Sequence, residues 1–230
     1  MKKLGLIGGM GPESTIDYYN KIVYRYQNNH PKDFFPHIII ESINIFEMLK
    51  LCEEEKYDEL TLLLLKAIEN VHKGGADFAV LAANTPHVVF YELKEKSPIP
   101  LISIVEEVYK KVNYDQIKNV GLLGTSFTME NGFFTDIFKE NGINIVIPDK
   151  ESRNYINEKI TKELEYGIFK EETKKNFIDI INDLVEKYNI EGIILGCTEL
   201  PLLIKNDDIK ENVYDTVDIH VNSILRKIQS

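Results

Sequence analysis

The sequence predicts an α/β protein made of two similar lobes with parallel sheets, related by a pseudo-twofold axis. Three observations carry that prediction. Short apolar strands alternate with amphipathic helices along all 230 residues, the pattern of parallel sheets covered on both faces. The strands end in glycine or small polar residues just where helices begin. Two pairs of strand-end segments recur in the same order in both halves.

Lys3 to Gly8 reads as a buried strand, and Pro12-Glu13-Ser14-Thr15 opens a helix with proline at a first-turn position. His37 to Ile45 is an isoleucine-rich strand. Glu59 to Lys73 is a helix whose Leu60, Leu63, Leu64, Ala67, Ile68 and Val71 share one face, closed by Gly74-Gly75. Asp77 to Ala83 is a strand broken by Asn84-Thr85-Pro86. A helix through Glu95 follows, and after Pro98 and Pro100 comes a strand from Leu101 to Ile104. In the second half, Asn119 to Gly124 is a strand, Met129 to Glu140 a helix and Ile143 to Ile147 a strand. Helices near Glu151 to Tyr166 and Glu171 to Lys187 lead to a strand from Glu191 to Gly196, broken by Cys197-Thr198-Glu199.

The repeat matches Gly5-Leu6-Ile7-Gly8-Gly9 with Gly121-Leu122-Leu123-Gly124-Thr125. It also matches Val80-Leu81-Ala82-Ala83-Asn84-Thr85 with Ile193-Ile194-Leu195-Gly196-Cys197-Thr198. The expected organisation is an N-terminal lobe of residues 1–100 with 208–230 and a C-terminal lobe of 101–207. Ligands of open α/β sheets bind at the carboxyl ends of strands, so two such edges facing each other are expected to form a cleft.

A formal net charge of −10 argues against a nucleic-acid partner, because phosphate backbones need a basic surface. It leaves room for a small anion held by backbone amides and helix ends. Two cysteines, Cys52 and Cys197, are no disulfide framework. The apolar start is too short for a signal peptide and no run reaches membrane-span length, so a cytoplasmic protein is expected.

Four strand-end loops hold the candidate chemistry: Gly8 to Thr15, Ala83 to His87, Thr125 to Thr128 and Cys197 to Pro201. Each sets hydroxyl, amide or thiol groups beside a glycine or a helix start, where free N–H groups suit a carboxylate; alternatively each Ser or Thr only caps its helix. Cys197 precedes a helical turn that is expected to favour thiolate, against the reading of an inert buried cysteine. Cys52 precedes Glu53-Glu54-Glu55, which disfavours thiolate. Gly9-Met10-Gly11-Pro12-Glu13-Ser14 only partly mimics a dinucleotide fingerprint, since Ser14 stands where the third glycine belongs, and no Walker loop exists. His30, His37, His72, His87 and His220 show no metal-ligand spacing; His87 and His220 suit supporting hydrogen bonds.

Taken together, Gly5 to Thr15, Asn84-Thr85-Pro86-His87, Leu123-Gly124-Thr125 with Thr128-Met129, Gly196-Cys197-Thr198-Glu199, Asp215-Thr216 and His220 resemble the aspartate/glutamate racemase family over nearly the whole chain. The resemblance implies two Rossmann-like lobes, neither pyridoxal phosphate nor metal, and a homodimer acting on an amino acid or other small carboxylate. It implies a pair of thiols, one on each face of the substrate's α-carbon, one removing the α-proton and the other returning one. Cys197 matches one; the other position is Ala83, leaving Thr85, His87 or water as the second proton source. By the same match Met10, Asn84, Thr85, Thr125, Ser126, Thr128, Thr198 and Glu199 bind substrate. Where some aspartate racemases carry an arginine and a lysine for the side-chain carboxylate, this chain has Met48 and Glu165. The alternatives are a single-cysteine decarboxylase or isomerase of the same superfamily, which needs one proton donor, and a non-catalytic carboxylate-binding protein.

Overall fold

The structure, a computed structural model, describes residues 1–28 and 35–230; His30 lies outside them. The chain divides into two compact units, residues 1–107 with 220–230 and residues 108–219.

Unit 1 opens with β1 (Leu4–Gly8), α1 (Pro12–Asn28), β2 (Ile38–Ser42), α2 (Ile45–Glu53), α3 (Tyr57–Lys73) and β3 (Phe78–Leu81). A 3-10 turn (Thr85–Val89), α4 (Phe90–Lys96) and β4 (Leu101–Ile102) complete its sheet. The strands are parallel in the order β2-β1-β3-β4. β1 and β3 are buried along their whole length, which is why they read as unbroken apolar runs. The buried face of α3 is Leu60, Thr61, Leu64, Ala67, Ile68 and Val71. Leu63, expected on this face, is only half-buried, and Thr61 is buried with its hydroxyl donating to Glu92 Oε2 at 3.0 Å.

α5 (Ile104–Tyr114) leads into unit 2, which contains β5 (Asn119–Leu123), α6 (Ser126–Glu130), α7 (Thr135–Glu140), β6 (Asn144–Val146) and α8 (Lys150–Lys162). A 3-10 turn (Leu164–Tyr166), α9 (Glu171–Tyr188), β7 (Gly192–Leu195), α10 (Leu200–Leu203), β8 (Asn212–Asp215) and α11 (Thr216–Gln229) follow. The order β6-β5-β7-β8, again parallel, repeats that of unit 1, as the recurring strand-end segments suggest.

The structure departs from the sequence reading at several places. The expected helix from Met129 to Glu140 is split in two around Gly132, whose φ of +92° is a left-handed conformation that breaks the helical run. The helix expected to reach Tyr166 ends at Lys162, where Glu163 turns inward to accept from Lys159, Lys170 and Thr173. The expected strand from Leu101 to Ile104 overruns the start of α5. The unit division also differs from 1–100 with 208–230 against 101–207. β8 pairs with β7, Ile193 opposite Val213, so residues 208–219 belong with unit 2, while β4 pairs with β3 and holds residues 101–102 in unit 1. α5 and α11 each begin in one unit and end in the other.

Candidate functional site

In each unit the strand order reverses between two central strands, β1 and β3 in unit 1, β5 and β7 in unit 2. The loops leaving such a pair diverge and open a crevice at the carboxyl edge of the sheet. All four loops marked out in the sequence leave these four strands.

In unit 1, Ile7 pairs with Leu81, and the Ala82 N–H donates to Ile7 O at 2.9 Å, so the two loops start level. Gly9 has φ +84°, and a Cβ there would meet Ile43 O at 2.3 Å; only glycine makes this turn without strain. The Gly9 N–H donates to Thr15 Oγ1 at 2.9 Å, and the buried Ser14 hydroxyl donates to Ala82 O at 2.8 Å. The first turn of α1 is thus tied to the end of β3. Met10, Ala83 and Asn84 are buried, and Thr85 is half-buried at the start of the 3-10 turn.

His87 lies beneath this edge, stacked on Phe90 with ring centroids 5.0 Å apart. Its Nε2 receives the Ile104 N–H at 3.2 Å, and its Nδ1 lies 3.0 Å from Ala83 O. A backbone N–H can only donate and a carbonyl can only accept, so the proton must sit on Nδ1. Burial, then the neighbouring His220, push its pKa down to about 3, partly offset by the backbone of Ala83 and Asn84. His87 therefore has neither a free nitrogen nor a proton to lend, which corrects its expected place as a substitute for the missing thiol. His220 follows the same logic. Its Nε2–H donates to Ile102 O at 3.1 Å, its Nδ1 accepts from Tyr18 at 2.9 Å, and burial lowers its pKa to about 4. Both rings brace unit 1 as neutral struts.

In unit 2, Leu123 pairs with Leu195, and the Gly196 N–H donates to Leu123 O at 2.7 Å. Thr125 caps α6, accepting the Thr128 N–H at 3.3 Å, and the two hydroxyls lie 3.1 Å apart. The Ser126 N–H is taken by Asn157 Oδ1 at 2.9 Å, so that amide is occupied. Across β7 the buried Thr216 hydroxyl donates to Leu195 O at 3.0 Å, and Asp215 Oδ1 accepts the N–H groups of Val217 and Asp218 to start α11.

Cys197 is half-buried. Its thiol donates to Glu199 Oε2 at 2.9 Å, and the Thr198 hydroxyl donates to the same oxygen at 2.9 Å. Burial and the Glu199 carboxylate push the thiol well above its ordinary value, and Glu165 adds to the effect. The expected thiolate-favouring helix end is thereby overturned: α10 is a single turn of four residues beginning three positions later, too slight to outweigh an adjacent carboxylate. Glu165 is itself raised, by burial and then by Glu199. Cys52 is 3% exposed against Met48, and burial with Glu53 raises it to about 11, in keeping with its reading as inert.

The structure thus gathers Met10, Ala83, Asn84, Thr85 and His87 at one sheet edge of unit 1. It gathers Thr125, Ser126, Thr128, Cys197, Thr198 and Glu199 at one sheet edge of unit 2. Sequence reasoning missed Tyr18 and Asn157. Tyr18 is one helical turn after Ser14 and so on the same buried face, a usable signal; the Asn157 contact spans 31 residues and has none. Among the described residues, no group of three or more His, Cys, Asp or Glu is placed to hold a metal, and no helix is long and apolar enough to cross a membrane.

Comparison with known proteins bears on the whole chain. The profile of the Asp/Glu/Hydantoin racemase family matches residues 7–224. The chain is 28% identical to the broad specificity amino-acid racemase RacX of Bacillus subtilis over 156 residues, 64% of each protein. It therefore spans less than two thirds of that relative. A crystal structure of an aspartate racemase homologue from Pyrococcus horikoshii is 35% identical with a TM-score of 0.89, covering 100% of both chains. A Yersinia pestis protein provisionally assigned as an Asp/Glu racemase is 32% identical with a TM-score of 0.93, again over 100% of both. With two four-stranded parallel sheets of the same strand order and a profile match from near one end to near the other, this chain belongs to the Asp/Glu/Hydantoin racemase family.

Proposed function

We propose that this chain is a cofactor-independent amino-acid racemase that moves hydrogen at the substrate's α-carbon, with Cys197 as its protein thiol. The observation that carries this reading is the position of that thiol. It is half-exposed at the carboxyl end of β7, beside the Thr125–Thr128 loop and at the reversal of strand order, where an open α/β sheet holds its ligand. Thr125, Thr128 and Thr198 offer hydroxyls at the same sheet edge of unit 2 for the α-carboxylate. Hydrogen bonds to a captured carboxylate stabilise the negative charge that develops when the α-proton leaves. The name of the Bacillus relative supports an amino acid as substrate and favours no single side chain.

Ala83 holds no proton, and both His87 nitrogens are engaged, so the second proton does not come from a second protein thiol. The two directions of the reaction then use unlike donors. In deuterium oxide, one enantiomer of a given amino acid should lose its α-hydrogen faster than the other. The test is a panel of acidic, neutral and basic amino acids in deuterium oxide, read by loss of the α-proton signal, with wild type beside Cys197→Ala. Exchange that disappears in the variant, by about 100-fold or more, is expected. No exchange with any amino acid, or exchange indifferent to Cys197→Ala, rules the reading out.

Ala83 also favours a second reading, a single-cysteine decarboxylase, in which one protonation suffices. Release of carbon dioxide from substituted malonates, lost in Cys197→Ala and unaccompanied by amino-acid exchange, selects it over the first.

A further inference from the structure

We infer that unit 1 carries a second small-molecule site, away from the strand-end loops, that takes the zwitterionic head of a free α-amino acid with an apolar side chain. The site is an open groove of about 340 Å³ between β4, α5 and the last turns of α11, within the range of about 300–1,000 Å³ that small-molecule sites occupy. Leu101 and Ile102 form its apolar wall, and Glu107, Ser223, Arg226 and Lys227 supply its polar side. The Lys2 N–H donates to Ile228 O at 3.0 Å, which puts the end of α11 at the amino end of β1, opposite Gly8 and the loop that follows it. The groove is therefore separate from the residues gathered at the carboxyl edge of the sheet, and the inference goes beyond the proposed activity without resting on it.

The arrangement of charges selects the ligand. Glu107 is the buried group, its side chain 11% exposed. The Ser223 hydroxyl donates to Glu107 Oε2, and Arg226 Nη2 donates to Ser223 Oγ at 2.6 Å and stands 3.5 Å from the same Oε2. These contacts use one nitrogen of the Arg226 guanidinium, on a side chain that is 69% exposed, so the rest of the fork can face a carboxylate. A simple anion in the groove would meet the Glu107 carboxylate, and a simple cation would meet Arg226 and Lys227; like charges placed together cost affinity. A zwitterion satisfies both ends. Its ammonium faces Glu107, and its carboxylate pairs with Arg226 in the charge-assisted, two-pronged manner that guanidinium favours, with Lys227 beside it. Its side chain then covers Leu101 and Ile102, where removal of apolar surface from water adds to binding. Glu107 stands on α5 and Arg226 on α11, the two helices along which the chain passes between units, so the occupant bridges that pair of helices.

The test is an NMR titration of the isotope-labelled full chain, read at the backbone amides of Leu101, Ile102 and Ser223 to Lys227. Three probes share one apolar shape and differ in charge: leucine, isocaproate, which lacks the ammonium, and isoamylamine, which lacks the carboxylate. Leucine should shift these amides saturably, and each singly charged probe should bind at least about tenfold more weakly. Arg226→Ala should weaken leucine by about tenfold and leave isoamylamine no weaker than in wild type, while Arg226→Lys keeps a point charge and should recover part of the loss. Arg226 is exposed, so these variants keep the fold, and an unchanged spectrum outside the groove checks this. Leucine shifts confined to the strand-end loops overturn the inference, as do isocaproate binding as tightly as leucine and leucine binding that ignores Arg226→Ala. Shifts at the strand-end loops report the proposed catalytic site in the same spectra, so failure of the groove and failure of that reading are told apart.

Discussion

Cys197 shows how a residue two positions along the chain can hold a thiol protonated. Glu199 has helical backbone angles, φ −86° and ψ −23°, and this fold of the chain brings its carboxylate back onto the sulfur. An extended backbone would carry it away. Glu165 arrives from the 3-10 turn after α8 and acts on the same thiol by its charge, through space. The two carboxylates should therefore separate experimentally. Glu165→Gln removes a charge but no hydrogen-bond partner of the thiol, so it should quicken alkylation of Cys197 by iodoacetamide near neutrality by less than Glu199→Gln does. Equal shifts for the two variants would mean that charge alone, and not the hydrogen bond, sets the state of the thiol.

Each strand-end loop is held by contacts that fix its start, and these can be tested by stability. Gly9→Ala forces a side chain into a left-handed position and against Ile43 O; it should lower unfolding free energy by about 1–3 kcal/mol. Ser14→Ala strands the Ala82 carbonyl where the two loops meet, at a cost of about 1–3 kcal/mol. Urea midpoints check both, and a Gly9→Ala protein as stable as wild type would show that the loop tolerates a different turn. The same elements show what the sequence makes legible. β1, β3, β5 and β7 announce themselves because a strand buried on both faces is an apolar run ended by glycine or a polar residue, and the four loops that leave them follow directly. β8 does not, since Asn212-Val213-Tyr214-Asp215 has polar ends and becomes a strand only by pairing with β7. α5 carries a local signal in Ser103-Ile104-Val105-Glu106, a capping-box pattern whose Ser103 hydroxyl accepts the Glu106 N–H at 3.2 Å; the preceding proline-flanked strand masks it. The protonation of Cys197 and the occupied nitrogens of His87 are set by contacts made only after folding, so the residues are legible in the sequence and their states are not.

Across the whole chain, buried groups that refuse a charge should give stability a plateau bounded on both sides. His87 and His220 have folded pKa values of about 3 and about 4 against 6.5 in the unfolded chain. Below pH 6.5 the unfolded chain therefore binds protons that the folded chain rejects, and stability falls as pH drops toward those folded values. Each ring contributes a slope of at most about 1.4 kcal/mol per pH unit. Glu163, lowered to about 2 from 4.5 by Lys159, Thr173 and Lys170, extends the loss to more acid pH. Neutralising surface carboxylates works the other way by relieving the repulsion of a chain with net charge −10. That relief begins near the carboxylate range, so between pH 6.5 and 5 the histidines dominate. On the alkaline side the unfolded thiols ionise above 9.0, while Cys197 and Cys52 stay protonated in the folded chain; stability present below 9.0 is lost as pH rises beyond it. Urea melts should thus show a plateau between pH 6.5 and 9.0, with decline on either side. The imidazole proton resonances of His87 and His220 should stay at their neutral positions down to about pH 5 while the protein remains folded. Either ring titrating near 6.5 in the folded protein would remove the struts from this account and leave the acid limb to the carboxylates alone.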